Sequence, residues 1–78
     1  MNLRELLDTY TSGDGCSWTE EFLDLWTREP HYMATLVEDI GVHGILKPIH
    51  LGDDGRVWDG HHRLAAACAL NLTEVPTT

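Results

Sequence analysis

The residues with the most chemistry in them stand together at Asp59-Gly60-His61-His62-Arg63. Two imidazoles, a guanidinium and a carboxylate follow an apolar Val57-Trp58 pair and precede Leu64 and three alanines. Val57 and Trp58 suit a strand, Gly60 permits a tight corner, and residues from Ala65 to Leu70 are strong helix formers. The pattern predicts a strand, a glycine corner, and a helix whose first turn carries His61, His62 and Arg63. A helix start presents unpaired N–H groups and partial positive charge, so it favours an anion and gains nothing from cations. A negative partner is therefore expected, either a ligand phosphate or a carboxylate of the chain itself. For either histidine alone an ordinary surface position is the simpler reading, and Arg63 can pair with Asp59 or Asp39 and serve only the fold. As a set, they are expected to bind an anion. An Arg63 turned inward onto a carboxylate of its own chain, with no open cleft beside it, would remove that expectation.

A second glycine corner, His43-Gly44-Ile45-Leu46-Lys47-Pro48, precedes the predicted hairpin. Pairing of the hairpin's strands would bring Lys47 and His43 toward the start of the last helix. The expected phosphate-binding set is then Gly60, His61, His62, Arg63, Lys47 and His43. Planar Arg63 supplies the directional contact and Lys47 a point charge. His62 donates to the phosphate, while His61 with Asp59 is the pair able to assist a proton or metal step, the catalytic residues should there be turnover. Binding is expected ahead of turnover, and whether the protein is an enzyme stays open. No metal site is expected, because adjacent His61 and His62 project in different directions, unlike ligands four apart. Cys16 and Cys68 are too few for a disulfide scaffold and read as reduced thiols in a cytoplasmic protein. Neither is placed as a nucleophile, Cys68 lying in an apolar stripe and Cys16 in a loop without a base. Trp58, beside the site, is the aromatic best placed to touch a ligand ring, with burial as its default.

The elements that must position these residues are legible as periodicities. Leu3, Leu6, Leu7 and Tyr10 have helical spacing, and Asn2 with Glu5 resembles a capping box. Thr11-Ser12-Gly13-Asp14-Gly15 ends that helix. Ser17 with Glu20 opens a second one, with Trp18, Phe22, Leu25 and Trp26 on one face and acids on the other. Pro30 starts a third, carrying Met33, Leu36, Val37 and Ile40 and closed by Gly41 and Gly44. The period then changes. Pro48-Ile49-His50-Leu51 alternates as a strand, Gly52-Asp53-Asp54-Gly55 is a hairpin turn, and Arg56 to Asp59 returns. Leu64, Cys68 and Leu72 form the stripe of the last helix, and Val75-Pro76 is an extended tail or edge strand. The expectation is a single α+β domain over residues 1–78, with an acidic helical extension at 1–35 and a motif-bearing core at 36–76.

Charge narrows the partners. The formal net charge is −8, which disfavours direct DNA binding, since a basic face is needed to displace counterions. Residues 1–39 hold nine carboxylates against Arg4 and Arg28, whereas residues 40–78 hold four against three cations and carry four of the five histidines. Two surfaces with different partners are implied. The start lacks the basic and apolar regions of a signal peptide, and no apolar run is long enough to span a bilayer. Three tryptophans in so short a chain leave a homodimer open.

Residues 36–76 resemble the ParB N-terminal domain and sulfiredoxin superfamily. The pattern is Asp39-Ile40-x-x-His43-Gly44-Ile45, then Pro48-Ile49, a hairpin, Asp59-Gly60-His61-His62-Arg63-Leu64-Ala65-Ala66, and a closing Leu72-x-x-Val75-Pro76. The resemblance implies a small α+β fold binding nucleotide phosphates at the Gly-to-Arg turn, with CTP or ATP and Mg²⁺ as the implied cofactors. Its members include CTP-dependent DNA-partitioning clamps, ATP-using sulfiredoxins and kinase-like relatives, and short copies are typical of bacteriophages. The clamps read Gly-Glu-Arg-Arg at this turn. Here His61 stands at the acidic position, His62 at the first arginine, and Arg63 alone is retained. The sulfiredoxin cysteine position is His61, so sulfinic-acid reduction is not expected. No counterpart of the partition proteins' DNA-binding helices is read in residues 1–78, so partition-type DNA binding is not expected of them. The competing reading is a non-enzymatic acidic module that docks on a basic bacterial host protein. A metal-dependent nuclease, resting on Asp59 and the histidines, ranks third.

Overall fold

The computed structural model describes residues 1–13 and 15–78. Asp14, within the turn expected after the first helix, lies outside them. The α+β class is observed: helices α1 (Leu3–Thr9), α2 (Trp18–Arg28) and α3 (Pro30–His43), strands β1 (His50–Leu51) and β2 (Val57–Asp59), and helix α4 (His61–Ala69).

Local chemistry sets the helix ends. The Asn2 side chain accepts from the Glu5 N–H at 3.0 Å. At α2 the capping box is reciprocal, Ser17 accepting from the Glu20 N–H and Glu20 from the Ser17 N–H. Pro30 occupies the first turn of α3, and Gly44 closes it. Gly41, expected to help end α3, lies inside it, because the i−4 bonds run on until Gly44 accepts the C-cap position.

The hairpin is antiparallel, with His50 opposite Asp59, Leu51 opposite Val57, and an irregularity between them. The tail is extended, as expected, and it is held on two sides rather than at a free edge. Ile49 and Leu51 donate to Pro76 and Thr78, Thr78 donates back to Ile49, and Val75 donates to Met1 on the other side. Residues 74–78 are thus laid between the hairpin and the N-terminus, with bridges Asn2↔Glu74 and Ile49↔Thr77. A strand-length apolar alternation cannot reveal that insertion, which is set by where the chain's two ends meet.

Helix α4 is the centre. Leu64 and Ala67 pack into a cluster with Leu3, Leu6, Ile49, Val57 and Val75. Ala65 and Ala66 pack into a second with Leu25, Met33 and Ile40. Four consecutive residues are therefore buried, and the alanines let α2 and α3 approach closely. Leu6 and Leu25, from the first 35 residues, sit in the two clusters alongside residues 36–76. Cys68, expected on the buried stripe, is only half-buried. Among the described residues no helix is long and apolar enough to cross a membrane.

Candidate functional site

Gly60 turns the chain from β2 into α4 with φ +119° and ψ +16°, a left-handed conformation that side chains resist. A Cβ there would also come within 2.8 Å of Ile49 Cδ1 and 3.3 Å of the Arg63 guanidinium. Both facts require glycine. The turn leaves α4 without a side-chain cap, so its first N–H groups are not covered by a neighbouring hydroxyl or carboxylate from the cap residue.

In front of that helix start lies an open cleft of about 440 Å³, lined by Tyr32, Leu36, Lys47, Trp58, Asp59, Gly60, His61, His62 and Arg63. Its size is that of a small-molecule site. Six of these residues, Lys47 and the run Asp59 to Arg63, are those singled out by their chemistry. His43 is not among the lining residues. It sits in the last turn of α3, 3.1 Å from Asp39 at i−4, with both side chains exposed. Of the His43-to-Pro48 corner, only Lys47 lines the cleft.

Each charged group in the cleft meets an opposite charge from the chain. Arg63, expected to reach a phosphate, is turned inward with 13% of its side chain exposed. Its Nη1 donates to the carbonyls of Lys47 (2.8 Å) and Pro48 (3.1 Å), and its Nη2 lies 3.1 Å from Asp59 Oδ2. The guanidinium therefore caps the irregular chain entering β1. Lys47 is held far less, its ammonium 3.5 Å from Asp59 and 76% of its side chain exposed. Partial burial pushes the Asp59 carboxyl up, but Arg63 and then Lys47 outweigh it and hold the group below its ordinary value.

The two histidines leave in different directions. His61 Nε2 lies 3.1 Å from the Val57 carbonyl, and Nδ1 lies 3.2 Å from Glu21 Oε2. Both ring nitrogens face oxygens, so neither is turned to a ligand as a general base. The edge of Trp18 closes the third side, with ring centroids 5.6 Å apart. His62 Nε2 donates to Glu29 Oε2 at 2.7 Å and packs its ring edge-on against Tyr32 at 5.2 Å. These ties fasten α4 to both ends of α2.

Glu21 is the functional neighbour that was missed. Its charge puts it with the acids on the outer face of α2, yet it is 6% exposed. The signal was present: Glu21 stands at i+3 from Trp18 and i−4 from Leu25, on the same stripe. Trp58 departs from its default the other way and is 53% exposed. Among the described residues no three His, Cys, Asp or Glu side chains are gathered as metal ligands.

Compared with models of known protein families, with curated proteins and with solved structures, the chain matches none.

Proposed function

We propose that this domain binds a phosphate-bearing small molecule, with a nucleotide such as CTP or ATP as the leading class, in the cleft at the start of α4. The observation that carries the reading is the meeting, at one open cleft, of an uncapped helix start, the loosely held Lys47 and the Asp59-to-Arg63 corner. Helix N–H groups and an accessible ammonium are donors that suit phosphate oxygens. In this reading Lys47 makes the ionic contact, while Arg63 and Asp59 hold the corner in shape. His62 can turn its N–H from Glu29 to a phosphate, since that pair is only partly buried. The engagement of both His61 nitrogens favours binding over catalysis. Calorimetry with CTP, ATP and their diphosphates, with and without Mg²⁺, is the test. Saturable heat at millimolar ligand or below is expected, and its absence for every nucleotide rejects the reading.

A second reading, an acidic module docking on a basic host protein, has one observation in its favour. Leu23 is 67% exposed on α2 between Glu20 and Asp24, an apolar residue framed by carboxylates. Reversing Glu20 and Asp24 would abolish capture of partners from a bacterial lysate if it holds, with Lys47→Ala harmless. Glu21 does not belong in that set, being buried.

A further inference from the structure

Two large aromatic side chains are left exposed at the same cleft, Trp58 from β2 and Tyr32 from α3, at 53% and 54%. The other exposed large apolar residues, Leu23, Val42 and Leu46, are aliphatic and lie outside its lining. Neither aromatic is loose. The Trp58 indole N–H donates to Asp54 Oδ1 at 3.1 Å, and Asp54 is itself fixed by Arg56 Nε at 2.6 Å. The ring lies over Gly52, where an added Cβ would fall 2.1 Å from Nε1, and leans on His50 at 5.4 Å. The hairpin is thus shaped around the indole, with a glycine beneath it and a carboxylate anchoring its polar edge. Tyr32 is steadied by its edge contact with His62. Rings already fixed lose little freedom when a ligand stacks on them, and an exposed indole gains from covering its apolar area.

We infer that the cleft recognises a planar heteroaromatic ring attached to the phosphate, and that Trp58 is its main stacking surface, with Tyr32 on the opposite side. This rests on the phosphate-binding reading above and narrows it to nucleotides, excluding bare sugar phosphates and inorganic phosphate as preferred ligands. Stacking alone reads a π-face rather than base edges, so purine and pyrimidine nucleotides are expected to bind within a few-fold of each other.

The test compares AMP, CMP, ribose 5-phosphate and inorganic phosphate by calorimetry on the wild-type chain. Both nucleotides should bind at least ten-fold more tightly than ribose 5-phosphate. In Trp58→Ala that advantage should fall to under three-fold while ribose 5-phosphate binding is unchanged; Trp58→Phe should keep part of it, and circular dichroism checks that both variants fold. Equal binding of nucleotides and ribose 5-phosphate by the wild type would overturn the stacking inference and leave phosphate binding standing. A ten-fold advantage that survives in folded Trp58→Ala would overturn the role of Trp58. Failure of all four ligands at millimolar concentration would overturn this inference, and failure of CTP, ATP and their diphosphates as well would overturn the phosphate reading with it.

Discussion

The first turn of α4 and the turn that follows it are the same helix under opposite rules. His61, His62 and Arg63 project into polar surroundings and are each met by oxygens from distant segments, at Glu21, Glu29, Lys47 and Pro48. Leu64 to Ala67 are buried and belong to the two apolar clusters. The second turn fixes the axis of the helix, and that fixed axis is what makes the first turn specific. Charged side chains on a floating helix would find whichever carboxylate was nearest; here they are delivered to particular oxygens.

Breaking the buried turn should have the largest effect. Leu64 is fully buried between the hairpin and α1, so Leu64→Ala leaves a cavity costing about 3 kcal/mol. In a domain this small that is a large share of the total stability, and urea denaturation should show a midpoint shifted strongly downward. The corner between the two regions comes next. Gly60→Ala forces a side chain into a left-handed backbone and against Ile49, a cost of about 2 kcal/mol by the same measurement. It should also displace Arg63, whose guanidinium lies 3.3 Å from the added atom.

Arg63 tests whether the polar turn contributes to the fold. Removing it orphans the carbonyls of Lys47 and Pro48, one of them partly buried, and leaves Asp59 with Lys47 alone. Arg63→Ala should cost about 2 kcal/mol, and Arg63→Lys should restore only part, because an ammonium cannot span two carbonyls and a carboxylate as a planar fork does.

The same corner carries a pH signature. Asp59 is held below its ordinary value in the folded chain, so the folded state binds fewer protons there than the unfolded state. Its contribution is fully present above about pH 4, the unfolded carboxyl range, and is lost as pH falls through the lower folded value. Asp54 and Glu20 are lowered too and act with the same sign, through bonds from Arg56 and Ser17. Asp59→Asn should therefore lose less stability than wild type between pH 7 and pH 3 in parallel urea titrations.

What the sequence made legible was whatever neighbouring residues decide among themselves. The Ser17–Glu20 box, Pro30 at a first turn, the Asp-Gly hairpin and the Gly60 corner all depend on contacts within a few positions. The partners of the cleft cations are not of that kind. His62 meets Glu29 across 33 positions and Arg63 meets Pro48 across 15, and no local pattern announces which carbonyl will lack a strand partner. The tail is extended as its sequence suggests, but its partners could not be read, since its slot exists only once Met1 and Ile49 are in place. Glu21 is the exception: its position on the apolar stripe could have been read, but its charge argued more loudly than its spacing.

Lys47 sharpens the comparison from the opposite end, with the smallest expected effect on the fold. It lines the same cleft as Arg63 and shares the Asp59 carboxylate with it, yet most of its side chain is in solvent. Exposed pairs of this length contribute little, so Lys47→Ala should change stability by no more than about 0.5 kcal/mol. Its effect should appear in binding instead. With the weakly held cation Lys47 gone, nucleotide affinity should drop several-fold, and the salt dependence of binding should flatten because one screened charge contact is missing. Arg63→Lys, by contrast, should weaken the fold while retaining a positive charge at the cleft. If Lys47→Ala instead costs as much stability as Arg63→Ala and leaves affinity unchanged, the two cations do the same structural work and the division between them collapses.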